Sequence, residues 1–319
     1  MGTPTANPAA PVKRNRNWVE IDRQHKKRGE LIVYYAVGLS ETTEPPAKTG
    51  KRGHPFKYSD ATIEGLLKLK VSMRLSLRAT EGFAEAIKAL TQGTWDVPDY
   101  SSLSYRQKSL KVDLQAAERT SGKVILMVDS TGLKVFGEGE WKVRQHGIEK
   151  KRRTWRKVHI LVNRETGQIE SVETTLNGVG DPTVVPDLLP EDLTNTAVLG
   201  EGAYHTKKLH LEVNKRGGVL LSPPKTNARR WGKTPTTNDD TAFEFRNKHV
   251  RILKTMDRRE WKIRSGYSKR SYVESCMNRL KSITGDKLAA RTLDRQTVEV
   301  RLRVALLNQT ALRTARQAK

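Results

Sequence analysis

The sequence predicts a mixed α/β protein, with a helical N-terminal part leading into a core built on a mixed sheet. Three observations lead there. From Tyr58 onward apolar residues recur at helical spacing, after Gly122 three β-rich segments follow one another at hairpin distance, and beyond them helix-like and strand-like segments alternate.

Residues 1–56 read as a basic N-terminal region. The first 16 or so and TTEPPAKTGKRGHP (42–55) are rich in Pro, Ala, Asn or basic residues and are expected to be flexible. Between them NWVEIDRQHKKRGELIVYYAVG predicts a short helix closed at Gly29 and a strand-like LIVYYAV. Residues 57–120 predict a helical domain. Ser59 or Asp60 caps a run with Ile63, Leu66 and Leu67 on one face, and Ser76 caps a second that carries Phe83, Ile87 and Leu90 and ends at Gly93. A third helix begins at SSLSYRQ, after Pro98. Preceded by the basic GKRGHPFK, these helices fit a helix-turn-helix-like DNA-binding domain, and they also fit a plain helical bundle.

Residues 121–285 form the predicted core. KVILMVDSTGLKVF, TWRKVHILVNRETG and QIESVETTLNG read as strands, with turn chemistry at Gly137 and Gly139 and at Glu165-Thr166-Gly167. Then come a helix-like DPTVVPDLLPEDL, a buried-type strand TAVLGEGAY, an amphipathic KKLHLEVNKRGG and a strand GVLLSPPK. Residues 286–319 predict a basic C-terminal helix. Its stripe of Val298, Leu302, Ala305 and Leu306 should pack on the core, leaving cations for DNA or a second protomer.

Lys and Arg total 59 against 35 Asp and Glu, a net charge of +24, which suits a polyanionic partner and nucleic acid above all. No stretch approaches the roughly 18 apolar residues of a membrane span, and the N-terminus lacks the apolar centre of a signal peptide, so a cytoplasmic location without a membrane partner is expected. The single cysteine, Cys276, excludes an internal disulfide and paired-cysteine zinc sites, and its position beside an apolar helix face suggests core packing.

The segment YSKRSYVESCMNRLK places Tyr267, Arg270, Glu274 and Lys281 at intervals of three, four and seven. Counted as one α-helix, Arg270, Glu274 and Lys281 fall at about 300°, 340° and 320° from Tyr267, a narrow polar stripe beside the apolar Val273, Met277 and Leu280. Alone, this stripe also fits a solvated face with an ordinary Arg270–Glu274 pair. Asp129 stands where the apolar VILMV ends, and should emerge at the edge of a central strand; Glu201 stands similarly after TAVLG, in a second strand. Carboxylates at adjacent strand ends, joined by one from a packed helix, suit two magnesium ions that activate a nucleophile and stabilise a leaving oxygen in phosphoryl transfer. Singly, each acid also fits a local turn or an ion pair with a neighbouring cation.

Tyr267, Arg270, Glu274 and Lys281 match in full the YxxRxxxExxxxxxK signature of insertion-sequence DDE transposases. DSTGLKVFGEGEWKVRQHG, KRRTWRKVHI, GEGAYHT and WKIRSGYSKRSYVE resemble the insertion-sequence-five family of bacterial transposases, and the likeness extends from about Asn17 to Asn308. The resemblance implies an RNase H-like catalytic core behind an N-terminal DNA-binding region. It further implies that Asp129, Glu201 and Glu274 bind two Mg²⁺, with Mn²⁺ able to substitute, to cut DNA at terminal inverted repeats and join the freed 3′-hydroxyls to a target. A homodimer on double-stranded DNA is implied as well. The family block reads DGAYDT, whereas this chain has Glu201-Gly202-Ala203-Tyr204-His205-Thr206: Glu stands for Asp, and His205 replaces another usual acid. The extra methylene moves the second carboxylate outward by about 1 Å, a displacement to which catalytic geometry is sensitive. An inactive copy that only binds DNA is therefore the alternative.

By the same resemblance Lys281 would hold a DNA phosphate, while Tyr267 and Arg270 position the backbone near the cut. KKRRTWRK (150–157) carries six cations in eight residues, among them Arg152, Arg153, Arg156 and Lys157, interleaved with Trp155, and reads as a phosphate-binding hairpin or a solvated turn. Trp141 and Trp231 suit base stacking or ordinary packing. Histidines 146, 159, 205, 210 and 249 show no metal-ligand spacing, which points to neutral hydrogen-bonding roles. Asp181 and Asp187, near Pro182 and Pro186, read as loop and helix-capping residues.

Overall fold

The computed structural model describes residues 56–119, 122–135, 155–232 and 243–316, together with helical positions at Val19, Asp22, Lys26, Gly29 and Glu30. That helix therefore includes Gly29, where it was expected to close. The stretches expected to be flexible, the strand-like LIVYYAV, the turn at Gly137 and Gly139, Trp141, His146, Arg152 and Arg153 lie outside the described residues.

Three helices come first: α1 (Asp60–Met73), α2 (Leu77–Leu90) and α3 (Tyr100–Gln107). Each is capped as its sequence demands, since Ser59 accepts from the Thr62 N–H, Ser76 from the Ala79 N–H, and Asp99 from the Ser101 and Ser102 N–H groups. Only Arg74, Leu75 and Ser76 separate α1 from α2, a connection short enough for a helix-turn-helix.

The core is a mixed sheet of β1 (Val124–Val135), β2 (Trp155–Asn163), β3 (Ile169–Leu176), β4 (Thr196–Leu199) and β5 (Val219–Leu221), ordered β3-β2-β1-β4-β5, with the short β6 (Lys287–Leu288) also on β1. β1 runs antiparallel to β2 and parallel to β4, and β4 runs parallel to β5. β4 accompanies β1 only as far as Met127, and β6 joins it at Lys134 and Val135. Between these two neighbours one edge of β1 lies open among the described strands, and Asp129 sits in that interval. Asp129 thus lies on an open edge of the central strand, as its position after VILMV suggested, but not at the strand's end. β1 continues to Val135 because β2 pairs with it throughout, from Leu126 to Lys134.

Helices α4 (Asp181–Leu188), α5 (Lys207–Lys215), α6 (Glu244–Ile252), α7 (Arg258–Arg264), α8 (Ser271–Thr284) and α9 (Leu293–Arg316) complete the fold. Alternation along the strands separates two apolar layers. Leu126 and Val128 pack with Leu161, Val185, Leu188, Leu209 and Val213. Met127 and Leu133 pack with Ile160, Val273, Cys276, Met277, Leu280, Val300 and Val304. Asp129 shares the parity of Met127 and Leu133, so it faces the layer that holds α8.

The stripe of α9 formed by Val298, Leu302, Ala305 and Leu306 packs with Ile63, Leu66, Leu67, Ala84 and Leu103 of the N-terminal helices. Its opposite stripe, Val300, Val304 and Leu307, packs on the sheet layer. One helix thereby contributes to both cores. The sequence reading found only the first stripe, and α6 and α7 were not anticipated.

Candidate active site

YSKRSYVESCMNRLK does not form one uniform helix. Tyr267–Arg270 is a 3₁₀ turn that runs directly into α8 at Ser271. In a 3₁₀ turn residues three apart eclipse one another, so Tyr267 and Arg270 lie on one side at the entrance to α8. Tyr267 is buried against Trp261, ring centroids 5.5 Å apart, within the sheet-side core. Burial raises its phenol above the ordinary range. It supports the turn from inside, while the Arg270 guanidinium reaches toward the sheet.

That guanidinium brings the three predicted acids together. Nη2 donates to Asp129 Oδ2 at 2.8 Å, Nη1 donates to Glu274 Oε1 at 3.0 Å, and Nη2 lies 3.4 Å from Glu201 Oε1. The Asp129 side chain is 8% exposed and that of Arg270 12%, whereas Glu201 and Glu274 are 51% and 59% exposed. The site thus has a buried floor and a solvent-facing rim. Burial pushes the Asp129 carboxyl up to about 6; Arg270 and the Ser130 N–H oppose that shift and the nearby Glu201 adds to it. For Arg270 burial opposes the charge, but Asp129, Tyr267, Glu201 and Glu274 outweigh it and hold the guanidinium above its ordinary value.

Glu201 reaches the site through a tight local structure. β4 stops at Leu199, and Gly202–Tyr204 turn as a short 3₁₀ helix with Glu201 at its N-cap. The Tyr204 ring folds back so closely that a Cβ on Gly200 would come within 2.9 Å of Tyr204 Cδ2. This close approach explains the glycine that precedes Glu201. Behind the turn, His205 Nε2 accepts from the Nε of buried Arg246 at 3.1 Å. Arg246 also donates to Arg229 O and stacks 3.9 Å over the Trp231 ring. Burial, followed by the Arg246 charge, lowers the His205 imidazole to about 4, so His205 is a neutral acceptor. With His205, His210 and Phe243 rings about it and Arg246 over it, Trp231 packs within the protein. Neither Arg246 nor this cluster was found by sequence reading, because an isolated arginine and tryptophan carry no spacing signal.

Lys281 lies on α8 seven residues after Glu274, about 10 Å along the axis, half-buried and without an ion-pair partner among the described residues. The described end of KKRRTWRK turns inward. The Trp155 ring covers Gly132, where a Cβ would meet Trp155 Cε3 at 2.9 Å, and Lys134 lies over the same ring. Arg156 Nε donates to Gln296 Oε1 at 2.6 Å, and Lys157 Nζ donates to Asp181 Oδ1 and Val179 O, each at 2.9 Å. Asp181 is the first residue of α4, beside Lys157 and His159, apart from the three acids. His159 and His249 have hydrogen-bonding roles, with Thr175 and Trp261 respectively, and burial lowers both imidazoles. Cys276 is buried in the core.

Among the described residues no group of three or more His, Cys, Asp or Glu stands close enough together to hold an ion directly, because the Arg270 guanidinium lies between the acids. The donor set itself fits a hard divalent cation: three carboxylates that share one guanidinium, and no thiolate. No helix among the described residues is long and apolar enough to cross a membrane.

Residues 120–309 match a family model described as a transposase DDE domain, and residues 26–138 match a second model with the same description. Among solved structures, the cryo-EM structure of a piggyBac transposase synaptic complex with hairpin DNA is similar over 97% of this chain and 78% of that chain, at 9% identity and a TM-score of 0.46.

Proposed function

Because the chain belongs to the transposase DDE-domain family, we propose that it is a DNA transposase that cuts element ends at terminal inverted repeats and joins the released 3′-hydroxyls to target DNA. Its mixed sheet, with β1 central, supports an RNase H-like core for such an enzyme. The observation that carries the reading is the convergence of Asp129, Glu201 and Glu274 on one guanidinium, from the open edge of β1, the turn after β4 and a helix.

The three carboxylates would hold two divalent cations, Mg²⁺ or Mn²⁺, whose chemistry is to activate a water or a 3′-hydroxyl and stabilise the leaving oxygen. Asp129 provides the buried, fixed ligand. Glu274 approaches from the first turn of α8 and Glu201 from the turn after β4. Lys281, farther along the exposed side of α8, provides a point charge for a phosphate, and Arg270 a bidentate one. Tyr267 holds the turn that carries Arg270. Arg152 and Arg153 add positive charge on the connection between β1 and β2. The net charge of +24 supports double-stranded DNA as the partner, and a synapse of two ends requires at least two protomers.

The second reading, a copy that binds inverted repeats without cutting them, rests on Glu201 in place of the family aspartate. Labelled DNA carrying the element ends, incubated with Mg²⁺ or Mn²⁺, decides between them. Cleavage and joining by the native chain, abolished in Asp129→Asn, are expected. End binding with no cleavage under either ion would establish the second reading, and cuts without joined product would reduce the activity to that of a nuclease.

A further inference from the structure

We infer that Arg270 and the divalent cations are alternative occupants of the space between the three carboxylates, so that metal loading and release of the guanidinium toward a DNA phosphate are one event. The inference rests on the metal-site reading above and adds a role for Arg270 within it.

Each Asp129 oxygen already accepts one hydrogen bond, Oδ1 from the Ser130 N–H at 2.9 Å and Oδ2 from Arg270 Nη2 at 2.8 Å. Glu274 Oε1 is taken by Nη1, and Glu201 Oε1 faces Nη2. A metal ion lying roughly 2.1 Å from oxygens of all three acids would have to occupy the space that guanidinium nitrogens, within 3.4 Å of each acid, already fill. Charge leads to the same exclusion. One guanidinium leaves three carboxylates under-neutralised, whereas two dications beside a guanidinium that is 12% exposed would crowd like charges where water cannot screen them.

Arg270 is not fully satisfied in this pose either, since its Nε is buried without a hydrogen-bond partner among the described residues. A phosphate accepts two parallel N–H groups from an arginine, so a swing of this side chain exchanges an incompletely paired position for a better-paired one. The guanidinium hangs from the 3₁₀ turn at the entrance to α8, where a side-chain rotation suffices. By linkage, DNA that captures Arg270 raises the affinity for metal by the same factor as metal raises the affinity for DNA.

The test is Mn²⁺ binding to the full-length protein without DNA, followed by electron paramagnetic resonance of free Mn²⁺. Arg270→Gln is expected to bind Mn²⁺ about tenfold more tightly than the wild type, with Arg270→Lys between them, and Asp129→Asn is expected to lose the binding. Equal or weaker binding by Arg270→Gln, with Asp129→Asn still abolishing it, overturns this inference and leaves the metal site standing. Binding that ignores Asp129→Asn, or no binding at all, overturns both. Should Arg270→Gln fail to fold, the wild type gives the answer alone: the arginine side-chain ¹⁵Nε resonance absent from Arg270→Lys shifts when Mg²⁺ is added, and an unmoved resonance overturns the inference.

Discussion

Arg270 donates to Asp129 at 2.8 Å across 141 residues of chain, tying the first turn before α8 to the middle of the central strand. Burial nevertheless raises the Asp129 carboxyl to about 6 from an ordinary 3.8. The folded state therefore binds a proton more tightly than the unfolded chain. Between pH 3.8 and about 6 stability falls as pH rises, by an amount on the order of 3 kcal/mol once Asp129 is ionised. Thermal melts in EDTA should show Asp129→Asn gaining on the wild type between pH 4.5 and pH 7. A difference between the two proteins that does not change with pH would contradict this.

Glu201 Oε1 lies 3.4 Å from Arg270 Nη2. Glu201→Asp withdraws the carboxylate by about 1 Å, and cleavage of end DNA is expected to fall by ~10- to 100-fold. A rise in activity would mean that the site is shaped for aspartate and that the native chain is the weakened form.

Asn308 is fully buried in α9 and joins three backbone groups: it donates to Leu114 O at 2.9 Å and Ile169 O at 2.8 Å, and accepts from the Ile169 N–H at 2.9 Å. Asn308→Ala leaves all three unpaired and should cost about 3 kcal/mol in denaturant unfolding. Asn308→Asp should be no better, because a carboxylate cannot donate to either carbonyl.

Gly132 lies under the Trp155 ring, three residues beyond Asp129 on β1. A Cβ at 2.9 Å from Trp155 Cε3 forces the ring to shift, so Gly132→Ala should destabilise by about 1–3 kcal/mol. Gly132→Ala with Trp155→Leu should recover part of that loss, as a double-mutant cycle would reveal.

Lys281 has no ion-pair partner among the described residues and shares α8 with Glu274. If it holds a phosphate, Lys281→Ala weakens binding to all end sequences alike, and lowers the slope of log K against log salt by about 1. An unchanged slope would remove Lys281 from the DNA surface.

The legible parts of this protein were those governed by neighbours in the chain. Ser59 and Ser76 cap the helices they were expected to cap, and the three β-rich segments after Gly122 are strands in that order. The acids were recognisable because Asp129 and Glu201 follow apolar runs and Glu274 lies at fixed spacing from Arg270. Helices α6 and α7 escaped, since EFRNKHVRI and RREWKIR are too short and too charged to announce an apolar face.

By itself, then, the sequence determined the fold class and the succession of the core strands along the chain, and pointed to the three carboxylates as candidates, because periodicity, capping and motif spacing are local properties. Tertiary structure alone decided that Arg270 is the common partner of all three acids. It also turned Tyr267, Arg156 and Lys157 toward partners inside the protein and gave α9 two packed faces. The reason is register: β4 leaves β1 at Met127 and β6 returns at Lys134, and the interval between them is set by strand pairing over long separations that no window of sequence contains.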